Sequence, residues 1–143
     1  MSDSEPAASP ARHARKIKWA LVFLAALLVV FVVKNLPRGF GDDLTHIGKG
    51  KAAVVLVRDK DSVESFNLME RLNKVRDRFN GNVDFLLTDY NTPEGRAFMS
   101  QYGAQRISAV VFDAKGNKVA ILSSSQSAQS IEQTIAAVMG GTQ

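Results

Sequence analysis

From Trp19 to Val33 the chain carries no charged or strongly polar residue. Extended to Ile17 and Leu36, the stretch reaches about 20 residues, ~30 Å of helix, enough to cross the hydrocarbon core of a bilayer. Its surface is apolar on every side, whereas a soluble domain's surface helix keeps one polar face. Lys18 and Lys34 stand at its edges, where their ammonium groups can snorkel outward. Trp19 sits where an interfacial aromatic belongs. A cleaved signal peptide also pairs a basic stretch with an apolar core. Here the run ends Val-Phe-Val-Val-Lys-Asn-Leu-Pro, from Val30 to Pro37, without a small-x-small cleavage pattern. The expectation is an uncleaved signal-anchor, a transmembrane helix held in the lipid bilayer through Ile17 to Leu36.

Basic residues set the expected orientation. Arg12, Arg15, Lys16 and Lys18 precede the span, and Lys34 and Arg38 follow it, joined by Asp42 and Asp43. Acids count little in this rule, so the N-terminus is expected in the cytoplasm. The rest of the chain then lies across the cell (inner) membrane, in the periplasm of a bacterium. The net charge of +4 comes mainly from these flanks, since beyond Leu44 there are 12 basic and 10 acidic residues. That balance argues against nucleic acid as a partner, which would need a basic patch on the folded part. Without cysteine there is no disulfide, thiolate nucleophile or Cys metal ligand. His13 and His46 are far apart in sequence and read as solvated side chains. No metal or other cofactor is expected.

The chain divides into a disordered tail (1–16), the anchor (17–36), a Gly- and Pro-bearing linker (37–51) and a soluble domain (52–143). Gly48-Lys49-Gly50-Lys51 superficially resembles a phosphate loop. It lacks the spacing and the hydroxyl residue after the lysine, and it precedes a strand instead of following one.

In the domain, Ala52 to Arg58 is a continuous apolar strand of the kind buried on both faces. Asp61 or Ser62 can cap a helix in which Leu68, Leu72, Val75 and Phe79 share one face. Asn80-Gly81-Asn82 ends it, and Val83 to Thr88 is a second strand. Pro93 opens a short helix to Tyr102, stopped by Gly103. Ile107 to Asp113 and Lys118 to Leu122 form a hairpin across Ala114-Lys115-Gly116-Asn117. Ser127 caps a last helix that buries Ile131, Ile135 and Val138. Long crossovers make the early strands parallel, and the tight turn makes the last pair antiparallel.

This order, and the local sequence, resemble the thioredoxin-like superfamily. Val54-Val55-Leu56-Val57 resembles its first core strand, and Phe79-Asn80-Gly81 the end of its active-site helix. Counting back sets Ser62-Val63-Glu64-Ser65 on the family's Cys-Gly-Pro-Cys motif. Tyr102-Gly103 through Ile107-Ser108-Ala109 resembles the segment bearing the cis-proline, with Ser108 in the proline's place. Gly116 falls on the hairpin glycine. The likeness covers Ala52 to Met139, with a few extra residues between Asp89 and Gly103. It implies a three-layer α/β sandwich around a mixed four-stranded sheet.

The departures carry the functional expectation. Both cysteine positions hold serine, the family's buried acid falls on Leu56, and its tryptophan falls on Asp61. Serine cannot cycle through a disulfide, so the resemblance implies a redox-inactive member. Ser62 or Ser65 as nucleophile would need a neighbouring base, and the domain has no histidine. Helix capping is the simpler role. Asp59 with Asp61, and Asp84 with Asp89, could do acid–base work, but no spacing singles them out from ordinary surface acids. The expected function is non-enzymatic: a membrane-tethered accessory or assembly subunit that binds protein partners. The alternatives are a structural subunit of a membrane complex, held by an anchor helix that offers Ala20, Ala25 and Ala26 for contacts, and an enzyme with non-thiol chemistry. The degenerate site, and with it the expected partner groove, comprises Asp61, Ser62, Ser65, Phe66, Arg106, Ile107 and Ser108. Arg106 and Phe66 are the expected anchors.

Overall fold

The computed structural model describes residues 11–35, 39–79 and 81–141. Residues 1–10, 36–38, 80 and 142–143 lie outside them, and with them most of the expected tail, Leu36 of the span, the start of the linker, and Asn80 of the expected helix stop. The described chain forms two units, divided at Arg38/Gly39.

The first unit is one helix, α1 (Ala11–Asn35). By length and composition, its segment from Lys16 to Val33 can cross a membrane. Its apolar side chains are exposed along this unit, Trp19 by 70% and Phe23 by 72%. The helix begins at Ala11, so the disordered tail expected through residue 16 is helical from that point. Once the apolar run has nucleated a helix, Ala, Arg and Lys extend it at little cost.

The second unit contains β1 (Ala52–Arg58), α2 (Val63–Phe79), β2 (Val83–Asp89), α3 (Pro93–Tyr102), β3 (Ser108–Phe112), β4 (Lys118–Ser123) and α4 (Ala128–Gly140). Its sheet runs β2-β1-β3-β4. Alternate residues of β1 serve two cores, which is why its sequence is apolar throughout. Val54 and Leu56 meet Leu68, Leu72 and Val75 of α2 and Ile131 and Ile135 of α4. Val55 and Val57 meet Phe98 of α3 and Phe112 of β3. Each side chain named here is at most 4% exposed. Three layers follow, as expected, with the sheet in the middle.

β1 and β2 are parallel, and β3 and β4 antiparallel, as connection length requires. β3, however, runs antiparallel to β1, pairing Ser108 with Val57. After Gly103 ends α3 in the left-handed conformation, the chain re-enters the sheet at the end where β1 and β2 finish. Ile107, expected in the strand, is excluded from it by a φ of +61°. A β-branched residue rarely adopts that conformation. Gly95, in the first turn of α3, answers a close approach: a Cβ there would stand 1.9 Å from the Asp89 carbonyl oxygen.

The segment from Gly39 to Lys51 corrects the expectation of a linker. Gly41 pairs with Leu86 at the outer edge of β2. Its N–H donates to the Phe85 carbonyl at 3.0 Å, and its own carbonyl accepts from Leu87 N–H at 2.8 Å. Phe40 meets Phe85 edge-on with ring centres 6.0 Å apart, and the Arg76 guanidinium lies 5.7 Å from the centre of the Phe40 ring. Leu44 and Ile47 pack against the α3-side core. A bare sheet edge leaves backbone groups unpaired, and this segment supplies partners on the β2 side. The glycines read as linker signals are contact points: Gly48 meets the β3–β4 turn so closely that a Cβ would lie 3.0 Å from the Lys115 carbonyl oxygen.

Candidate functional site

The carboxyl ends of β1 and β2 and the start of β3 converge at one end of the sheet. Strand ends of this kind are where α/β folds place ligands. Beyond Arg58, the chain turns through Asp59, Lys60, Asp61 and Ser62 into α2. The Asp59 carboxylate accepts from the Asp61 N–H at 3.0 Å, and the Asp59 carbonyl accepts from Ser62 N–H at 3.3 Å. Ser62 Oγ accepts from Ser65 N–H at 3.4 Å, and the Ser62 carbonyl accepts from Phe66 N–H at 3.1 Å. Ser65 is 1% exposed, and its Oγ accepts from Asp59 N–H at 3.0 Å. Both serine hydroxyls thus serve the backbone of the loop and the first helical turn.

Asp59 is the residue that sequence reasoning misplaced. Treated as an ordinary surface acid, it is 2% exposed. The Arg106 guanidinium makes two donations to its Oδ2, one of them from Nε at 2.9 Å. The same guanidinium lies 4.7 Å from the centre of the Tyr90 ring. The pairing with Asp59 raises the Arg106 pKa above its ordinary value. A buried carboxylate demands such a partner, because an unpaired charge would be expelled or neutralised. Next to this clasp, Lys60 reaches Asp89 at 3.0 Å. The Asp89 carboxyl is held below the ordinary range, first by the Asn91 N–H and then by Lys60. The only sequence signals for the clasp were the acid ending an apolar strand and the arginine preceding another.

Ser108, which the sequence resemblance set in the cis-proline's place, is 3% exposed. Its Oγ accepts from Gln105 N–H at 3.2 Å and donates to the Gln105 carbonyl at 2.7 Å. The hydroxyl clips the turn that contains Ile107, and half-buried Ile107 packs against the α2–α4 core. Asp61 is exposed at the loop's outer side.

The expected anchors separate. Arg106 has a half-exposed side chain, yet its guanidinium is committed to Asp59 and Tyr90, so it holds the site together instead of standing free. Phe66 is 56% exposed, and Val63, one turn earlier on α2 and absent from the expected site, is 76% exposed. The other acids and histidines lie elsewhere. Asp84 is near His46, whose Nδ1 is 3.7 Å from it, at the opposite end of β2 from Asp89. His13 falls among residues whose side chains are not described.

No sequence-family model matches the chain, and no curated protein matches it. Solved structures do. An uncharacterized thioredoxin-like protein from Clostridium perfringens is similar with a TM-score of 0.61 at 14% identity, over 68% of this chain and 78% of that one. A thioredoxin from Thermus thermophilus gives 0.61 at 15% identity, over 71% and 88%. Desulfothioredoxin from Desulfovibrio vulgaris Hildenborough gives 0.55 at 18% identity, over 71% and 99%. The second unit has the thioredoxin-like fold.

Proposed function

We propose that this chain is a membrane-tethered, catalytically inactive thioredoxin-like module that binds a protein partner at the serine-bearing end of its sheet. The observation that supports it most is the state of the two serines. Each hydroxyl accepts from a backbone N–H, and among the described residues neither is hydrogen-bonded to a histidine or carboxylate that could activate it. A serine pair also has no two-electron couple, so dithiol exchange would have no carrier. Beside them Val63 and Phe66 leave apolar surface exposed on one helical turn, where a partner could bury it. The apolar helix α1 supports anchoring, and the basic residues before it support a cytoplasmic N-terminus with the domain across the inner membrane.

The test is Val63→Ser with Phe66→Ser in the full chain, expressed in membranes. Co-purification of the partner should fall, while the melting transition shifts by no more than about 8 °C and stays cooperative, since exposed substitutions change stability little. Undiminished capture by this folded double variant would move the binding surface elsewhere. Capture lost only when α1 is exchanged for another apolar helix would favour the structural-subunit reading.

A further inference from the structure

A cleft of about 580 Å³ lies between the docked segment at Asp42 to Ile47 and the outward side of α3. It shares no residue with the serine-bearing end. Leu44, Ile47 and Tyr102, each partly buried, give it an apolar lining, and the Tyr102 ring stands 4.9 Å from the buried Phe98 ring beneath it. Asp42 stands on one wall and Glu94, in the first turn of α3, on the other. Both are exposed, and among the described residues neither has an ion-pair partner. Asp43, beside them, is already engaged with Thr45 and His46. Lys115 is the one basic residue among those lining the cleft.

We infer that this cleft is a second docking site, and that its occupant is a partner protein's segment carrying alternating basic and apolar side chains. Charge complementarity selects the basic residue, because two unpaired carboxylates face an incoming chain. The partly exposed Leu44, Ile47 and Tyr102 select the apolar one. The cleft is open to solvent along α3, so an occupant keeps one side exposed. A small ligand in an enclosed pocket would instead bury most of its surface. A segment laid across the domain fits the open geometry. The inference rests on the reading of the domain as a protein-binding module, but not on which end of the sheet does the binding.

The experiment uses the full chain in lipid nanodiscs and two fluorescein-labelled capped peptides, one alternating arginine with phenylalanine and one with glutamate replacing arginine. The arginine peptide should bind saturably, and the glutamate peptide should not. Asp42→Asn with Glu94→Gln should weaken binding about 2- to 30-fold, the range for losing two partly exposed charge pairs. Ala97→Trp, which fills the cleft from the lining residue on α3 without changing charge, should abolish binding. Val119→Ser, on the outer strand β4 and outside both the cleft and the serine-bearing end, should leave it unchanged. No saturable binding, equal binding of the two peptides, or full binding by Ala97→Trp overturns the inference. Binding lost only with Val63→Ser and Phe66→Ser also overturns it, while leaving the serine-end proposal standing.

Discussion

Asp59 and Arg106 form a pair of unequal members, and that inequality predicts unequal variants. Asp59 is 1% exposed at its side chain, while Arg106 is 54% exposed. Arg106→Ala strands a carboxylate in the interior and should lower the denaturant midpoint, by less than for a pair buried on both sides. Asp59→Asn leaves only an arginine that water can reach, and should lower it by about half as much or less. Denaturant melts of both variants check the order, and a larger loss in Asp59→Asn would contradict it. A second residue carries a pH signature. Asp113, in the β3–β4 turn, accepts from the Asn117 side chain and from the Asn117 and Lys115 N–H groups, each at 2.9 Å. These bonds, the Asn117 side chain's foremost, hold its carboxyl below the ordinary range. On acidification the unfolded chain therefore takes up this proton first. Asp113 contributes stability above about pH 4, and the contribution is lost as pH falls through the lower folded value. Asp113→Asn should lower the denaturant midpoint at pH 7, and the difference from the parent chain should shrink as pH falls below about 4.

Elements were legible in the sequence where periodicity reported burial. The unbroken apolar run of β1 forecast two covered faces, and the spacing of Leu68, Leu72 and Val75 forecast the inner face of α2. Pro93 and Gly103 marked both ends of α3 because each acts through its own backbone geometry. Nothing so local announced the antiparallel entry of β3, which depends on where α3 delivers the chain. Glycine misled the reading of Gly39 to Lys51. Gly41 and Gly48 sit where a Cβ would crowd neighbouring atoms, and close packing leaves the same trace in sequence as flexibility. The site was legible as positions and illegible as interactions: Ser62, Ser65 and Ser108 were found, but Asp59–Arg106–Tyr90 is a contact across three loops. A chain begun at Gly39 should melt cooperatively. One begun at Lys51 loses Phe40, Leu44 and Ile47 and uncovers the edge of β2. It should be less stable by about 2–5 kcal/mol, because all three are partly buried and each falls short of the roughly 1.5–3 kcal/mol of a fully buried large apolar side chain. Equal melting temperatures would restore the segment to the status of a linker.

At the scale of the molecule, the two units divide the charge. The basic residues that give the chain its net charge of +4 gather around α1, and the domain after Gly39 has 12 basic and 12 acidic residues. That division suits the proposed function, in which the basic flanks of α1 would meet anionic headgroups and the near-neutral domain a protein surface. On the proposed function, the serine-bearing end of the sheet is a contact surface for a partner protein. Site-directed photo-crosslinking in intact membranes tests it most directly. A benzophenone side chain replaces Phe66 in one variant of the full chain and Val119, on the outer strand β4, in another. The account predicts one discrete adduct from position 66, retained in alkaline-washed membranes, and little or none from position 119. Adducts from position 119 with none from position 66, or a chain that the alkaline wash releases from the membrane, would contradict it.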